Sequence, residues 1–490
     1  AIFIIHRLVP TSFLPVEDQG YFKIELELPE GATLERTRVV TDRAVQYLEK
    51  NPYVAYVQNV TGSSPRVGSN QARSELTVIL KPWEERKGIS IDKIMENVEK
   101  DLKEYPECKV YLSTPPVIPG LGTSGGFEMQ LEARGEATFD NLVQAADTLM
   151  YYAQKHKELT GLSSSLQSEI PQLYFDVDRD KVKMLGVPLA DVFSTMKAYT
   201  GSVYVNDFNM FNRIYKVYIQ AEAPYREHKD NINLFFVKAK DGVMVPLTSL
   251  GNASYTTGPG SIKRFNMFTT AVIRGSAAQG YSSGQAMEIM EQIARNHLPD
   301  NIGLEWSGLS YQGKEGGRTG RVLCLRWYSF SYSFFLAAQY ESWTVPIAVL
   351  LSLPVAALGA YLGVVICGLE NDIYFQIGLV MLVGLAAKNA ILIVEFAKVQ
   401  VDKGGDLIQS AIHAAQLRFR PILMTSLAFV LGMLPMVLAS GPGSASRQAI
   451  GTGVFFGMIF AIVFGIVLVP FFFVLVYKTK AKVQHKIKKD

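Results

Sequence analysis

Residues 373–396 read IYFQIGLVMLVGLAAKNAILIVEF, a membrane-length apolar run with Lys388 near its middle. At about 1.5 Å per residue, a helix over this stretch reaches about 36 Å, enough to cross a hydrocarbon core of about 30 Å. A charge at mid-membrane depth costs at least about 2.5 kcal/mol on insertion scales, and such residues mark ion and proton pathways. The run therefore predicts a membrane protein in which Lys388 has a job. Small neighbours on either side, Ala386, Ala387, Asn389 and Ala390, permit close helix contact. Snorkelling is the alternative reading. It needs a long reach, because about eight apolar residues separate Lys388 from the helix end.

Three further runs carry no charge: Val345–Cys367, Pro421–Ala439 and Ile450–Val476. A fifth segment, 319–338, occupies the place of a span but carries Arg321, Arg326 and Trp327, so it is degenerate by hydropathy. Lysines and arginines orient the set. The tail over 477–490 holds six lysines, and the loop 397–420 holds Lys398, Lys403, Arg418 and Arg420, so both are expected on the cytoplasmic side. If 319–338 crosses, the soluble region lies outside the cytoplasm. If it does not, the parity flips.

Residues 9–318 read as water-soluble. Phe22, Ile24, Leu26 and Leu28 alternate with Lys23, Glu25 and Glu27, as in a half-buried strand. A helix over 33–50, strands at 53–60 and 74–82, a helix over 91–104 capped by Ser90, and a strand at 109–112 complete the order βαββαβ, the ferredoxin-like split βαβ. A second copy is split in two. Strand 127–133, helix 138–156 and strand 160–167 match strand 268–275, helix 282–297 and strand 302–306. Between them, over roughly 170–258, lies an insertion with a strand (172–178), a helix (189–199) and hairpin-like strands (216–221 and 235–238). The expected fold class is thus a membrane α-helical bundle plus α+β modules, with about five transmembrane helices.

Composition narrows the function. The net charge is +3 and much of it sits in the tail, so no nucleic-acid patch is expected. Among the three cysteines only Cys108 falls in the soluble part, and no histidine stands at metal-ligand spacing from a cysteine or another histidine. No metal, cofactor or nucleophile motif is expected. A literal GxGxxG at 120–125 precedes a strand and not a helix, which excludes the dinucleotide reading. Residues 61–70, TGSSPRVGSN, read as a long small-residue loop, either functional or merely solvated. Arg418 and Thr425 are seven apart and share a helical face. They could form a polar path, and Arg418 and Arg420 read equally as interface anchors.

The runs FLPVEDQG (13–20), YVNDF (204–208), LAAQYESW (336–343), NDIYFQIGL (371–379), GLAAKNAILIVEFA (384–397), RFRPILMTSLAF (418–429) and GTGVFFGM (451–458) carry a family resemblance. The chain resembles the resistance-nodulation-division multidrug efflux pumps of Gram-negative bacteria, in their hydrophobe/amphiphile branch. The likeness spans the second half of such a pump, from the end of the seventh helix (residues 1–8) through the twelfth. It implies a secondary transporter, not an enzyme: an inner-membrane homotrimer exchanging protons for small-molecule drugs, with a large periplasmic region. It implies a periplasmic adaptor and a TolC-like outer-membrane channel as partners. By motif, Lys388, Asn389, Arg418 and Thr425 match the family's proton relay. Residues 9–120 match the first porter subdomain, 121–169 with 259–306 the second, and 170–258 the docking subdomain. The stretch 61–70 matches the switch loop between drug pockets. Gln58, Val60, Thr61, Ser63, Pro65, Thr77 and Tyr111 fall at substrate-contact positions.

Three departures stand out. The relay's paired aspartates belong to a fourth helix, outside the matched half. The family's pocket phenylalanines are replaced by Gln58, Ser63, Pro65 and Thr77. Residues 313–335 depart from an apolar eighth helix, as a compensated frameshift would produce. Two other readings stay open: a protein-export or assembly subunit built on a periplasmic platform, and a non-functional product of a split gene.

Overall fold

A computed structural model describes Ile5 and residues 9–64, 68–86, 88–118, 120–122, 125–278, 280–315, 333–335, 337–338, 342 and 345–487, with side chains through Thr479. The first module contains β1 (Tyr21–Glu27), α1 (Leu34–Glu49), β2 (Val54–Ser64), β3 (Gly68–Leu80), α2 (Ile91–Leu102) and β4 (Lys109–Ser113). Its sheet runs β2-β3-β1-β4 with every neighbour antiparallel, the split-βαβ order. Alternation decides which face is covered. Phe22, Ile24 and Leu26 are fully buried in one core with Leu76 and Val78, which face the same way from β3. The helices supply the other half of that core through Ala44 and Leu48 from α1, and Ile94, Val98 and Leu102 from α2. Thr33 and Ser90 cap the two helices by accepting from Arg36 N and Lys93 N.

The stretch expected as a long loop is instead strand. Ser63 pairs with Ser69 and Ser64 with Gly68, so β2 and β3 extend as one hairpin, and only Pro65, Arg66 and Val67 at its tip lie outside the described residues. Gly62 and Gly68 adopt positive φ there, and the register shifts between Thr61 and Ser63. The small residues serve a bulged hairpin and not an open loop.

The second module contains β5 (Phe127–Ala133), α3 (Phe139–Ala153) and β6 (Leu159–Ser164), followed after the insertion by β13, β14, α6 and β15, whose ranges follow below. Inserted between the halves is a separate compact unit, residues 167–261. It is built from β7 (Ile170–Val177), α4 (Arg179–Met184), α5 (Leu189–Met196), β8 (Val203–Met210), β9 (Arg213–Ile219), β10 (Phe236–Lys238), β11 (Met244–Pro246) and β12 (Gly251–Gly258). Its small core gathers Val182, Val192, Phe235, Leu247 and Leu250. β7 pairs with β12, and β10 with β11. The expected strand at 216–221 is β9, and its partner is β8, which has no alternating burial to announce it. Phe211 and Asn212 take positive φ at the tip of this two-stranded hairpin, as a tight primed turn requires.

The chain then returns to the second module through β13 (Lys263–Phe265), β14 (Phe268–Ala277), α6 (Ser283–His297) and β15 (Ile302–Trp306). β5 lies between β14 and β15, while β6 and β13 share the far edge of β14. Met129, Leu131, Ala271 and Ile273 face α3 and α6 in a second core, closed by Trp306. A short α7 (Gly308–Glu315) follows.

Four helices among the described residues are long and apolar enough to cross a membrane: 345–367, 373–402, 407–437 and 444–479. The first is divided at Leu351 and Ser352 into α8 (Val345–Leu350) and α9 (Leu353–Cys367), with Pro354 in the first turn of α9. α10 (Ile373–Asp402) carries Lys388, and α11 (Leu407–Val437) and α12 (Ser444–Ile487) complete the set. Residues 319–332 and 336 of the degenerate segment 319–338 and all but Ile5 of residues 1–8 lie outside the described residues. One expectation fails. Residues 397–420 are not a loop: α10 runs to Asp402, α11 starts at Leu407, and Arg418 and Arg420 lie inside a helix. Pro421, where the charge-free run begins, lies inside α11. Within a bundle, neighbouring groups tolerate it in the interior.

The hairpin register makes a direct test. In the double variant Ser63→Cys, Ser69→Cys the two thiols face each other across paired strands, at a spacing a disulfide accepts. Mild oxidation should protect both from alkylation within one chain. Free thiols after oxidation would mean that the stretch is an open loop.

Candidate functional site

Burial divides α10 into two faces. Phe375, Gly378, Leu382, Ala386, Ala390 and Ile393 are buried, while Ile377, Met381, Gly384, Lys388, Glu395 and Val399 form an exposed stripe. Steps of three, four and seven residues keep that stripe on one side of the helix. Among the described residues Lys388 has no hydrogen bond or ion pair. Glu395 is two turns away, about 10 Å along the axis, which is beyond ion-pair reach. One turn before Lys388, a Cβ placed on Gly384 would meet nothing within 4 Å. The lysine therefore stands on an open face next to a notch.

Asn389 turns toward α11. Its Nδ2 donates to Ser426 Oγ at 3.0 Å, and Ser426 is buried. Two further contacts run down the same antiparallel pair: Gln400 with His413 at 2.7 Å, and Arg418 over the Phe396 ring at 3.8 Å. Arg418 is half-buried and its Nε is a buried donor with no hydrogen-bond partner. Thr425 is exposed, and its Oγ1 donates back to Pro421 O at 3.0 Å and to Ile422 O at 3.2 Å. Asn389–Ser426 sets Lys388 and Thr425 at one depth. Arg418 lies about 10 Å along α11 from Thr425, so it is a separate group and not a direct neighbour of the lysine. Ser426 was missed from sequence, although the Thr425-Ser426 pair inside an apolar run was its signal.

The residues expected to contact substrate occupy the helix-free face or the hairpin of the first module. Gln58 pairs with Thr77, Val60 with Glu75 and Thr61 with Ser74. Tyr111 lies at the opposite edge, in register with Glu25, which faces Glu75, so Val60 and Tyr111 end one row across four strands. At about 4.8 Å per strand they are about 14 Å apart. Pro65 lies outside the described residues. Tyr111 alone of these lines a cleft of about 1480 Å³ that extends between the two modules to the loop ahead of α10. The helix-free face is charged: Lys23 pairs with Glu75 at 2.5 Å, and the buried Arg73 holds Glu27, and Glu30 at 3.2 Å. Ser64 Oγ donates to Glu25 at 2.5 Å. The alternation Lys23, Glu25, Glu27 had already shown this charge in the sequence.

At the floor of the cleft, Asp372 caps α10 by accepting from Phe375 N at 2.7 Å. Burial, with the nearby Glu370 charge, pushes its carboxyl up to about 6.

Two split-βαβ modules joined to a bundle of membrane-length helices, one of them lysine-bearing, define the class as a polytopic membrane protein with α+β modules. The chain belongs to the AcrB/AcrD/AcrF family, whose model matches residues 1–477. It is 39% identical over 472 residues to a multidrug/solvent efflux pump membrane transporter, MepB, of Pseudomonas putida, covering 96% of this chain and 45% of that protein. It is 38% identical to the multidrug export protein AcrF of Escherichia coli K12 (96% and 46%) and 40% identical to the multidrug resistance protein MdtF of the same strain (95% and 45%). The chain spans about half the length of these relatives.

Asp372 gives the site a pH signature. A folded carboxyl that keeps its proton to about 6, against 3.8 ordinarily, stabilises the protein below pH 4, and that contribution is lost as pH rises through 6. Asp372→Asn, which keeps the cap, should flatten the thermal-unfolding profile between pH 4 and 6. An unchanged slope would remove Asp372 as its cause.

Proposed function

We propose that this chain is part of a proton-driven efflux transporter that exports small-molecule drugs and other amphiphiles. The observation that carries the proposal is Lys388: a cation at mid-span, on the open face of α10, without a partner among the described residues. Such a charge needs a carboxylate from a further helix packed against the stripe. Protonation of that carboxylate would release the lysine, and the released charge would move α10 against its neighbour. Asn389 fixes the spacing to α11 through Ser426, Thr425 lies level with the lysine, and Arg418 supplies a second positive group farther along.

The relatives are named as multidrug and solvent exporters, and the cleft has the size for such cargo. In this reading residues 9–120 are the first porter subdomain, 121–169 with 259–306 the second, and 170–258 the docking subdomain. Gln58, Val60, Thr61, Ser63, Pro65, Thr77 and Tyr111 contact substrate. The chain sits in the inner membrane with its modules in the periplasm, which Lys398, Lys403 and the basic tail on the cytoplasmic side support. A homotrimer is supported by the β8–β9 hairpin. Tyr204, Val205, Phe208, Phe211, Ile214 and Tyr218 are exposed on it, and a lone two-stranded ribbon is marginal in water without a cover. A periplasmic adaptor and a TolC-like channel would complete the route outward.

Lys388→Ala decides between transport and a platform role. In cells supplying the full-length pump, the variant should lose drug export to background while assembling as the wild type does on native gels. A protein-export or assembly subunit would show no drug export in either form, which would end the transporter reading, and drug export retained by the variant would remove Lys388 from the proton-driven step.

A further inference from the structure

Residues 10–17, PTSFLPVE, form an extended strap between Val9 in the helix bundle and β1 of the first module. Every helix leaves its first N–H groups without intrahelical partners, and something must accept from them. The strap does so for three helices. Phe13 O accepts from Ile373 N, the first residue of α10, at 3.2 Å. Pro10 O accepts from Asn371 N at 2.9 Å, and Ser12 N donates back to Asn371 O at 3.4 Å. Thr11 O accepts from Gly284 N in the first turn of α6 at 3.2 Å. A Cβ on Gly284 would come within 2.4 Å of that oxygen, so the approach requires glycine. Glu17 Oε1 accepts from Ser446 N in the first turn of α12 at 2.9 Å.

Glu17 is a carboxylate at a helix N-terminus, where the partial positive charge favours it. Its other oxygen is buried without a hydrogen-bond partner. The adjacent cation, Arg447, gives its donors to the carbonyls of Ser440, Pro442 and Gly443 and not to Glu17. The helix end itself therefore holds the carboxylate. Immediately beyond, Asp18 pairs at 2.8 Å with Arg86, which is fully buried and lies over Trp83. Leu80 N donates to Gly20 O at 2.8 Å. The strap thus ends in a fixed anchor on the first module.

We infer that the strap is the coupling element between the lysine-bearing helix and both α+β modules, and that Glu17 is the positioning residue that fixes it to α12. A displacement of α10 reaches the strap at Phe13 and Pro10. From there it passes to α6 of the second module through Thr11, and to β1 of the first through Asp18. α12, gripped by Glu17, is the fixed side against which the strap moves. This deepens the proton-driven reading and rests on it.

The test compares Glu17→Ala with Glu17→Gln, whose amide oxygen can still accept from Ser446 N, in the full-length pump. Hydrogen exchange is read at three sites: amides 444–447, 371–373 and 283–286. Glu17→Ala should speed exchange at all three, because the strap loosens as one body. It should also lower drug export about tenfold, the ordinary size of a coupling loss, while Lys388-dependent proton uptake persists. Glu17→Gln should restore both. Faster exchange confined to 444–447 overturns the inference. So does equal failure of both variants, or export and proton uptake falling together. If the wild type shows no proton-coupled export, the functional reading fails, and the exchange pattern still decides whether the strap acts as one body.

Discussion

Hydrocarbon offers no hydrogen bonds, so each polar group at membrane depth must find its partner inside the protein. That constraint explains the polar groups of α10 and α11 one by one. Asn389 meets Ser426. Thr425, which faces outward, turns its hydroxyl back onto the carbonyls of Pro421 and Ile422. Arg418 lays its guanidinium on Phe396. Among the described residues Arg418 keeps a buried Nε without a hydrogen-bond partner and Lys388 has no polar partner at all, and the lysine's exception is what gives the helix pair direction. The buried side of α10 is closed by packing, and its exposed side still demands an anion.

The α+β modules solve a related problem in a different solvent. Each covers one sheet face with two helices and leaves the other face charged. Buried charges are tolerable only when paired, because an isolated one is strongly destabilising. Arg73 gathers Glu27 and Glu30, Arg134 bridges Glu132 at 2.6 Å and Glu305 at 2.8 Å, and Arg274 meets Glu128 at 3.1 Å. The helix-free face of the first module also carries Gln58, Val60, Thr77 and Tyr111. A surface built of Lys23, Glu25, Glu75 and Arg73 presents fixed charge beside Val60 and Tyr111.

Legibility in the sequence followed burial. β1 and α2 could be read because one face of each is buried, which imposes a period: two for Phe22, Ile24 and Leu26, and three to four for Ile91, Ile94, Val98 and Leu102. β8 could not, because both its faces are exposed and no alternation survives. The 61–70 hairpin was hidden for another reason. Its strands pair through backbone, and small residues carry no pattern. The N-terminal part of α11 was misread because arginines ahead of a proline mimic a membrane boundary. At the site, Lys388 announced itself by the cost of its charge, and Thr425 by its spacing from Arg418. The strap gave no signal at all. Its bonds join residues more than 250 apart, up to the 429 that separate Glu17 from Ser446, and contacts at that range leave no mark on local composition.

The strap and the lysine are two ends of one lever. Fifteen residues separate Ile373 from Lys388, about 22 Å of continuous helix. A tilt of about 5° about the lysine's depth would move the strap end by about 2 Å, the scale on which packed helices shift between discrete arrangements. The hydrogen bonds at Pro10, Thr11 and Phe13 cannot stretch by that amount and survive, since they weaken steeply beyond ordinary distances. The strap must then either follow α10 or break from it. Anchors on two modules and on α12 make following the cheaper course only if the modules themselves can move. A rigid pair of modules would hold α10 still and leave Lys388 without consequence, so the freedom of the modules and the function of the lysine are one physical requirement.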